Sequence, residues 1–245
     1  MIYKSTLTLI AMLTCQFVIS QNCSAQQIDR KVIEPQGDVI WEMPNKHNKV
    51  ALTFDDGPDP IYTQEILELL SKYNAKATFF LIGEKVKKFP YIVQQEINAG
   101  HEIGNHSFSH PFFNTITKAQ VAHEISNADL LIQKFKNRNS QLKLFRPPGG
   151  ILSESDLKEI KRKEYKTIMW SWHQDPRDWD NRSSNEISSH VLTNIQSGDI
   201  ILLHDSGGNR SETIKALEQI LIKLNDEYKF VTISELLTSD PVFGQ

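Results

Sequence analysis

From Lys49 onward, short apolar runs alternate with stretches whose apolar residues recur at helical spacing. Val50-Ala51-Leu52-Thr53-Phe54 is continuous enough to predict a buried strand. Asp59-Pro60 then supplies an N-cap and a first-turn proline for a helix carrying Ile66, Leu69, Leu70 and Tyr73. The unit recurs: 77–82 predicts a strand before a helix over 84–98, and 102–105 a strand before a loop and a helix over 118–135. Further strands are predicted at 143–145, 167–170, 199–203 and 230–233, with helices at 154–162, 185–195 and 212–224. The last helix places Leu217, Ile220, Leu221 and Leu224 on one face. Such alternation predicts an α/β domain with a parallel sheet, open or closed into a barrel. Residues 26–47 lack the pattern; polar and broken by Pro35, Gly37 and Pro44, they read as an irregular lead-in.

Residues 1–25 stand apart. Lys4 precedes an apolar stretch from Leu7 to Ile19, and Ser24-Ala25 offers small residues for cleavage, the layout of a secretory signal peptide. Thr14, Cys15 and Gln16 interrupt the stretch, which falls short of the roughly 20 apolar residues of a membrane-spanning helix. An exported protein without a stable membrane span is therefore expected. Both cysteines, Cys15 and Cys23, lie in this segment, so cleavage near Ala25 leaves none to form a disulfide. Lipid attachment at one of them is the alternative, but the residues before each resemble a lipoprotein signal poorly.

With 39% hydrophobic and 23% charged residues in 245, the remainder fits one domain, 48–240. The formal net charge of −3 falls one unit further when Lys4 is removed. A mildly acidic chain offers no field for a polyphosphate, and no nucleic-acid partner is expected.

Polar residues fall consistently after the predicted strands: Asp55-Asp56 after the first, His106 and His110 after the third, Arg146 after the fourth, His204-Asp205 after the last but one. In a parallel barrel the strand C-terminal ends converge on one rim, where such enzymes place their chemistry; contributions from so many strands favour closure over an open sheet. His106 and His110, four apart, can turn their imidazoles toward one ion, with one of the two aspartates as third ligand and a coordination position left open for water. The other carboxylate can then act as base, although spacing does not rank the neighbours. Zinc is the default ion for such donors, with cobalt, nickel or manganese as substitutes.

Five segments in order resemble the motifs of the polysaccharide deacetylase family, the NodB-homology domain of carbohydrate esterase family four. They are Thr53-Phe54-Asp55-Asp56-Gly57-Pro58, His106-Ser107-Phe108-Ser109-His110, Arg146-Pro147-Pro148-Gly149-Gly150, Asp175-Pro176-Arg177-Asp178-Trp179 and Leu202-Leu203-His204-Asp205. The resemblance runs from about Lys49 to Leu237 and implies a distorted (β/α) barrel. It also implies that Asp55 is the general base and that Asp56 joins His106 and His110 on the metal. Arg146 would orient Asp55 by a charge-assisted hydrogen bond and keep it ionised; His204 would be the general acid, its pKa raised by Asp178. Trp179 and Leu202 would wall the pocket for the acetyl methyl, and a backbone N–H near Gly149 would hold the oxyanion. Many members carry tyrosine where Gly149 stands, which bears on the choice of polymer.

The function so implied is hydrolysis of N-acetyl groups on GlcNAc-containing glycans: peptidoglycan, a chitin-like oligomer or an exopolysaccharide. An O-acetyl esterase on a xylan-type glycan is the alternative, and a glycan-binding domain without catalysis the third reading. Asp175 and Asp205 are read as supports of the site. His101 and His123 are read as strand-end and helix-face residues and His47 and His190 as exposed; His173, near the fourth motif, and the Trp170/Trp172 pair are read as packing, with a rim or substrate role for His173 and a sugar-facing position for one of the tryptophans as the alternatives.

Overall fold

The computed structural model describes residues 29–45, 47–135 and 142–238. The segment read as a signal peptide, with Cys15 and Cys23, lies outside the described residues. In chain order the elements are α1 (Arg30–Ile33), β1 (Val39–Ile40), β2 (Lys49–Asp55), α2 (Tyr62–Lys72), β3 (Ala77–Leu81), α3 (Gly83–Lys88), α4 (Pro90–Asn98), β4 (Glu102–Asn105) and α5 (Lys118–Ile132). Then come β5 (Lys143–Phe145), α6 (Glu154–Arg162), β6 (Tyr165–Ile168), α7 (Ser184–Asn194), β7 (Ile200–His204), α8 (Ser211–Leu224), β8 (Lys229–Phe230) and α9 (Ile233–Thr238).

The strands pair in the order β1-β6-β5-β4-β3-β2-β7, all parallel, with β8 joining the start of β2. The sheet curls into a half-barrel wrapped by helices. Between its end strands, β1 and β7, side chains and loops take the place of a ladder. Ser171 N donates to the Ile200 carbonyl (3.0 Å) and Ile200 N to Ser171 Oγ (3.1 Å), while Met43 N donates to the Gly198 carbonyl (2.9 Å). The strands are buried on both faces, which is why they read as continuous apolar runs. Phe54, Phe79, Ile201 and Leu203 pack outward against leucines and isoleucines of α2 and α8, whereas Ala51, Phe80, Leu144, Ile168 and Ile200 fill the interior.

Three expectations are revised. The lead-in is not irregular throughout: Arg30–Ile33 is helical, capped by Asp29, and Val39–Ile40 pairs with β6. Two residues of strand carry too little period to show in a sequence. The helix expected over 84–98 breaks at Phe89, which Pro90 keeps out of the helical region at φ −128° and ψ 53°, so that α3 and α4 are separate. The strand expected over 230–233 ends at Phe230, because Ile233 N donates to Thr78 Oγ1 (2.9 Å) and Ser234 N to Glu102 Oε2 (3.0 Å), which starts α9 beneath β3 and β4.

Candidate active site

β2 delivers alternate side chains to opposite faces, so Thr53 and Asp55 point inward while Phe54 packs outside. Arg146, the first residue after β5, meets them there. It is fully buried, its guanidinium carbon 4.1 Å over the Phe80 ring. Nη1 donates to Asp55 Oδ1 (2.7 Å) and Thr53 Oγ1 (2.8 Å), Nε to the Ile168 carbonyl (3.1 Å) and Nη2 to the Met169 carbonyl (2.7 Å). Burial pulls the guanidinium below its ordinary pKa and Asp55 opposes the shift. The pair fits the rule that an interior charge needs both a counter-charge and hydrogen bonds.

Asp56 leaves the strand direction. Its φ of 75° lies in the left-handed region, uncommon for a non-glycine residue, and swings its carboxylate to the histidines. Oδ1 lies 3.3 Å from His110 Nε2 and 3.6 Å from His106 Nε2. The Asp56 carbonyl accepts from Lys85 Nζ (2.7 Å), which also donates to Ser206 Oγ (2.6 Å). Gly57 follows because nothing larger fits: a Cβ there would sit 2.3 Å from an Asp205 carboxylate oxygen.

His106 Nδ1 lies 2.8 Å from the Arg146 carbonyl, which can only accept. Nδ1 therefore carries the proton and Nε2 presents a lone pair. Burial lowers the His106 pKa to about 3, so the ring is neutral. The loop is built to aim both rings: Ser107 and His110 adopt φ of 67° and 62°, Asn105 Oδ1 accepts from Ser107 N (2.9 Å), and Ser107 Oγ accepts from His110 N (3.0 Å). From α5, Glu124 accepts from Phe108 N (2.9 Å), Ser109 N (2.7 Å) and Ser109 Oγ (2.8 Å).

Donor atoms of Asp56, His106 and His110 lie within 4.8 Å of one another, and Asp56 Oδ1 is buried without a hydrogen-bond partner. An orphaned carboxylate oxygen facing imidazole lone pairs costs free energy unless something positive lies between them, so the trio fits a divalent cation.

His204 ends β7 in register with Asp55. Asp178 holds it twice: Oδ1 pairs with His204 Nδ1 (2.7 Å), and Oδ2 accepts from His204 N (2.9 Å) and from Thr213 Oγ1 (2.9 Å). Burial disfavours the imidazolium, but the Asp178 carboxylate outweighs it and the His204 pKa rises to about 9. The ring is protonated at neutral pH.

The remaining expected residues fall in different places. Leu202 is buried on the His204 face of β7, opposite Thr53. Gly149 has φ 62°, and the Phe112 ring stands 2.8 Å from where its Cβ would be. Trp179 is half exposed, with the Arg177 guanidinium carbon 5.1 Å over its ring. Asp205 accepts from Thr63 Oγ1, and burial raises its pKa to about 7; Asp175 accepts from Arg177 N (3.1 Å). His101 sits at a strand end, accepting from Ala77 N (3.2 Å), and His173 pairs with Asp199 (3.0 Å). His123 and His47 are exposed, whereas His190 is half-buried on α7. Thr53, which opens the first motif, gains a role there as a partner of Arg146; Glu124, Phe80 and Thr213 join the site without a signal in the sequence. They lie far along the chain from the groups they hold, and only the packed elements bring them near.

The model of the polysaccharide deacetylase family matches residues 42–168. A peptidoglycan-N-acetylglucosamine deacetylase of Bacillus cereus is 47% identical over 85% of this chain and 97% of its own length. A bifunctional xylanase/deacetylase of Pseudobutyrivibrio xylanivorans is 39% identical over 76% of this chain and 30% of its own. Among solved structures, a peptidoglycan N-acetylglucosamine deacetylase in complex with an N-oxidanyl-benzamide superposes with a TM-score of 0.78 at 33% identity, over 83% of this chain and 94% of that one.

Proposed function

Because this chain belongs to the polysaccharide deacetylase family, hydrolases acting on carbon–nitrogen bonds, we propose that it removes N-acetyl groups from GlcNAc-containing glycans outside the cytoplasm, peptidoglycan first among them. The observation that carries this is the juxtaposition of an aspartate locked to a buried arginine, Asp55, with a histidine kept protonated, His204, beside the Asp56–His106–His110 trio. The first can take a proton and the second can give one, which hydrolysis of an unactivated amide requires in sequence.

Asp56 Oδ1, His106 Nε2 and the His110 ring would hold the ion, for which zinc suits the donor set. A bound cation of this kind polarises a carbonyl and makes water acidic near neutral pH. Asp55, with one oxygen on Arg146, accepts the proton of the attacking water through the other. Gly149, on left-handed backbone at φ 62° with the Phe112 ring beside it, offers its backbone to the developing oxyanion. His204 protonates the departing nitrogen, and acetate and a free amine result. Leu202 and Trp179 flank the acetyl methyl.

Export follows from the signal peptide read in residues 1–25 and agrees with relatives named for peptidoglycan; no helix among the described residues is long and apolar enough to cross a membrane. A second reading, O-deacetylation of a xylan-type glycan, is favoured by the xylanase/deacetylase relative. Acetate release from chitooligosaccharide, peptidoglycan and acetylxylan, with and without a chelator, tests both. N-acetylated substrates should react and the chelator should stop them. Activity confined to acetylxylan, or indifferent to chelation, overturns the proposal.

A further inference from the structure

Beyond the fifth motif, the turn Ser206-Gly207-Gly208-Asn209-Arg210 carries no group that reacts, yet it touches both sides of the site. Arg210 ends the turn as the N-cap of α8 and is only 5% exposed. Its Nε donates to the Ser206 carbonyl (2.6 Å), Nη2 to the Gly207 carbonyl (3.1 Å) and Nη1 to the Asp178 carbonyl (3.3 Å). All three partners are neutral. An interior guanidinium held only by carbonyls is costly unless negative charge lies near it.

The negative charge comes from two directions. Asp56 Oδ2 lies across Gly207: the place where a Cβ would stand is 2.9 Å from that oxygen and 3.4 Å from Arg210 Nη2. With φ of 82°, Gly207 takes a conformation that glycine adopts without strain, and the missing side chain lets both groups close on one point. Asp56 thus turns Oδ1 to the histidines and Oδ2 to the side where the guanidinium lies. Asp178 is the second. Arg210 holds its carbonyl, while its carboxylate holds His204 at Nδ1 (2.7 Å) and at the backbone N–H (2.9 Å).

Another cation reaches the turn from α3. Lys85 Nζ donates to the Asp56 carbonyl (2.7 Å) and to Ser206 Oγ (2.6 Å), so it ties the turn to Asp56 and not to Asp178. The two cations therefore differ in what they can move.

We propose, resting on the deacetylase reading, that Arg210 is a positioning residue shared by the metal ligand Asp56 and the proton donor His204. Its planar fork sets the 206–207 turn against Asp56 and the 178 loop against His204 at once. One side chain then fixes the spacing between the ion and the acid.

Arg210→Lys replaces the fork by a single point donor, and Arg210→Gln covers the case in which a buried ammonium prevents folding. The folded variant should bind zinc about tenfold more weakly, the lower end for loss of a supporting group. With zinc saturating, kcat on a GlcNAc tetramer should fall about tenfold, while kcat on an activated aryl acetate, whose leaving group needs no proton, should change by about twofold or less. The downfield proton resonance of His204 Nδ1–H on Asp178 should shift in the same variant. Lys85→Met should weaken zinc and leave that resonance and the amide-to-ester ratio in place. A zinc loss without a His204 response, the reverse, equal losses on amide and ester, or a Lys85→Met that moves both readouts overturns the shared role. Loss of the fold in both Arg210 variants makes the residue structural and overturns it too. If the wild type releases acetate from no substrate, the deacetylase reading fails, and zinc affinity with the His204 resonance still decides the role of Arg210.

Discussion

The wall of the site formed by strand ends and the wall formed by the 106–110 loop hold their side chains by different means. Asp55 stands at the end of a ladder, in register with Phe80 and His204, and its arginine is tied to two carbonyls near the next strand. Register places it and the Arg146 hydrogen bond holds its carboxylate. Asp56, one residue later, together with Ser107 and His110, sits on left-handed backbone, and side chains from elsewhere hold the loop: Glu124 on α5, Asn105, Lys85. Strained backbone persists only where its surroundings over-determine it. The strand-end wall is therefore placed by the fold itself, and the loop wall by a handful of polar contacts that single substitutions can remove.

Substitution should separate the two walls most clearly at their functional atoms. Asp55→Asn is expected to lower turnover by about 10²–10⁴-fold while leaving metal stoichiometry unchanged, the usual worth of a general base. His106→Ala should lose the ion and the activity together. Metal analysis beside acetate release reads both, and loss of the ion from Asp55→Asn would join walls we describe as separate.

A smaller effect is expected from Glu124→Gln, which touches no proposed ligand. With the loop amides less firmly held, metal affinity should fall about 10–100-fold, as is typical when supporting groups are removed. Thermal stability of the metal-free chain should change little, since the contacts are partly exposed. An unchanged affinity would mean that the left-handed loop holds itself.

The least change is expected from Asp178→Asn at acid pH, and the difference should grow upward. The carboxylate lifts His204 to about 9, so the wild-type acid stays protonated through neutrality. Without it the basic limb of kcat should move toward, or below, the ordinary histidine value of about 6.5. Stability follows the same sign: a raised folded pKa contributes fully below about 6.5 and is lost as pH rises through about 9. Rate profiles and melting across that window check the sign, and a limb that does not move would detach His204 from the proton transfer.

Much of the strand-end wall is legible in the chain. Runs such as Val50–Phe54 carry their burial openly, and the order of runs and polar residues alone assigns the residue after each strand to one rim. The loop wall is legible only as a pair of histidines. Glu124 is 16 residues from the Phe108 amide whose hydrogen bond it accepts, and two of the four partners of Arg146 are backbone carbonyls, which no sequence position advertises. The separate duties of Asp55 and Asp56 come from resemblance, because adjacency cannot say which one the chain will turn. Geometry adds that one lies on extended and the other on left-handed backbone. The N-terminal segment reads as irregular although part of it is ordered, since a four-residue helix and a two-residue strand fall below any period.

The contact of Gly57 with the Asp205 carboxylate has a bearing on inheritance. A methyl group at 57 would overlap oxygens belonging to the segment that carries His204, at 2.3 Å and 2.6 Å. The first and fifth motifs are thus coupled by volume as well as by chemistry. A lineage can enlarge position 57 only after, or together with, a reduction at 205, so the two sites drift as one and the order of their changes is constrained.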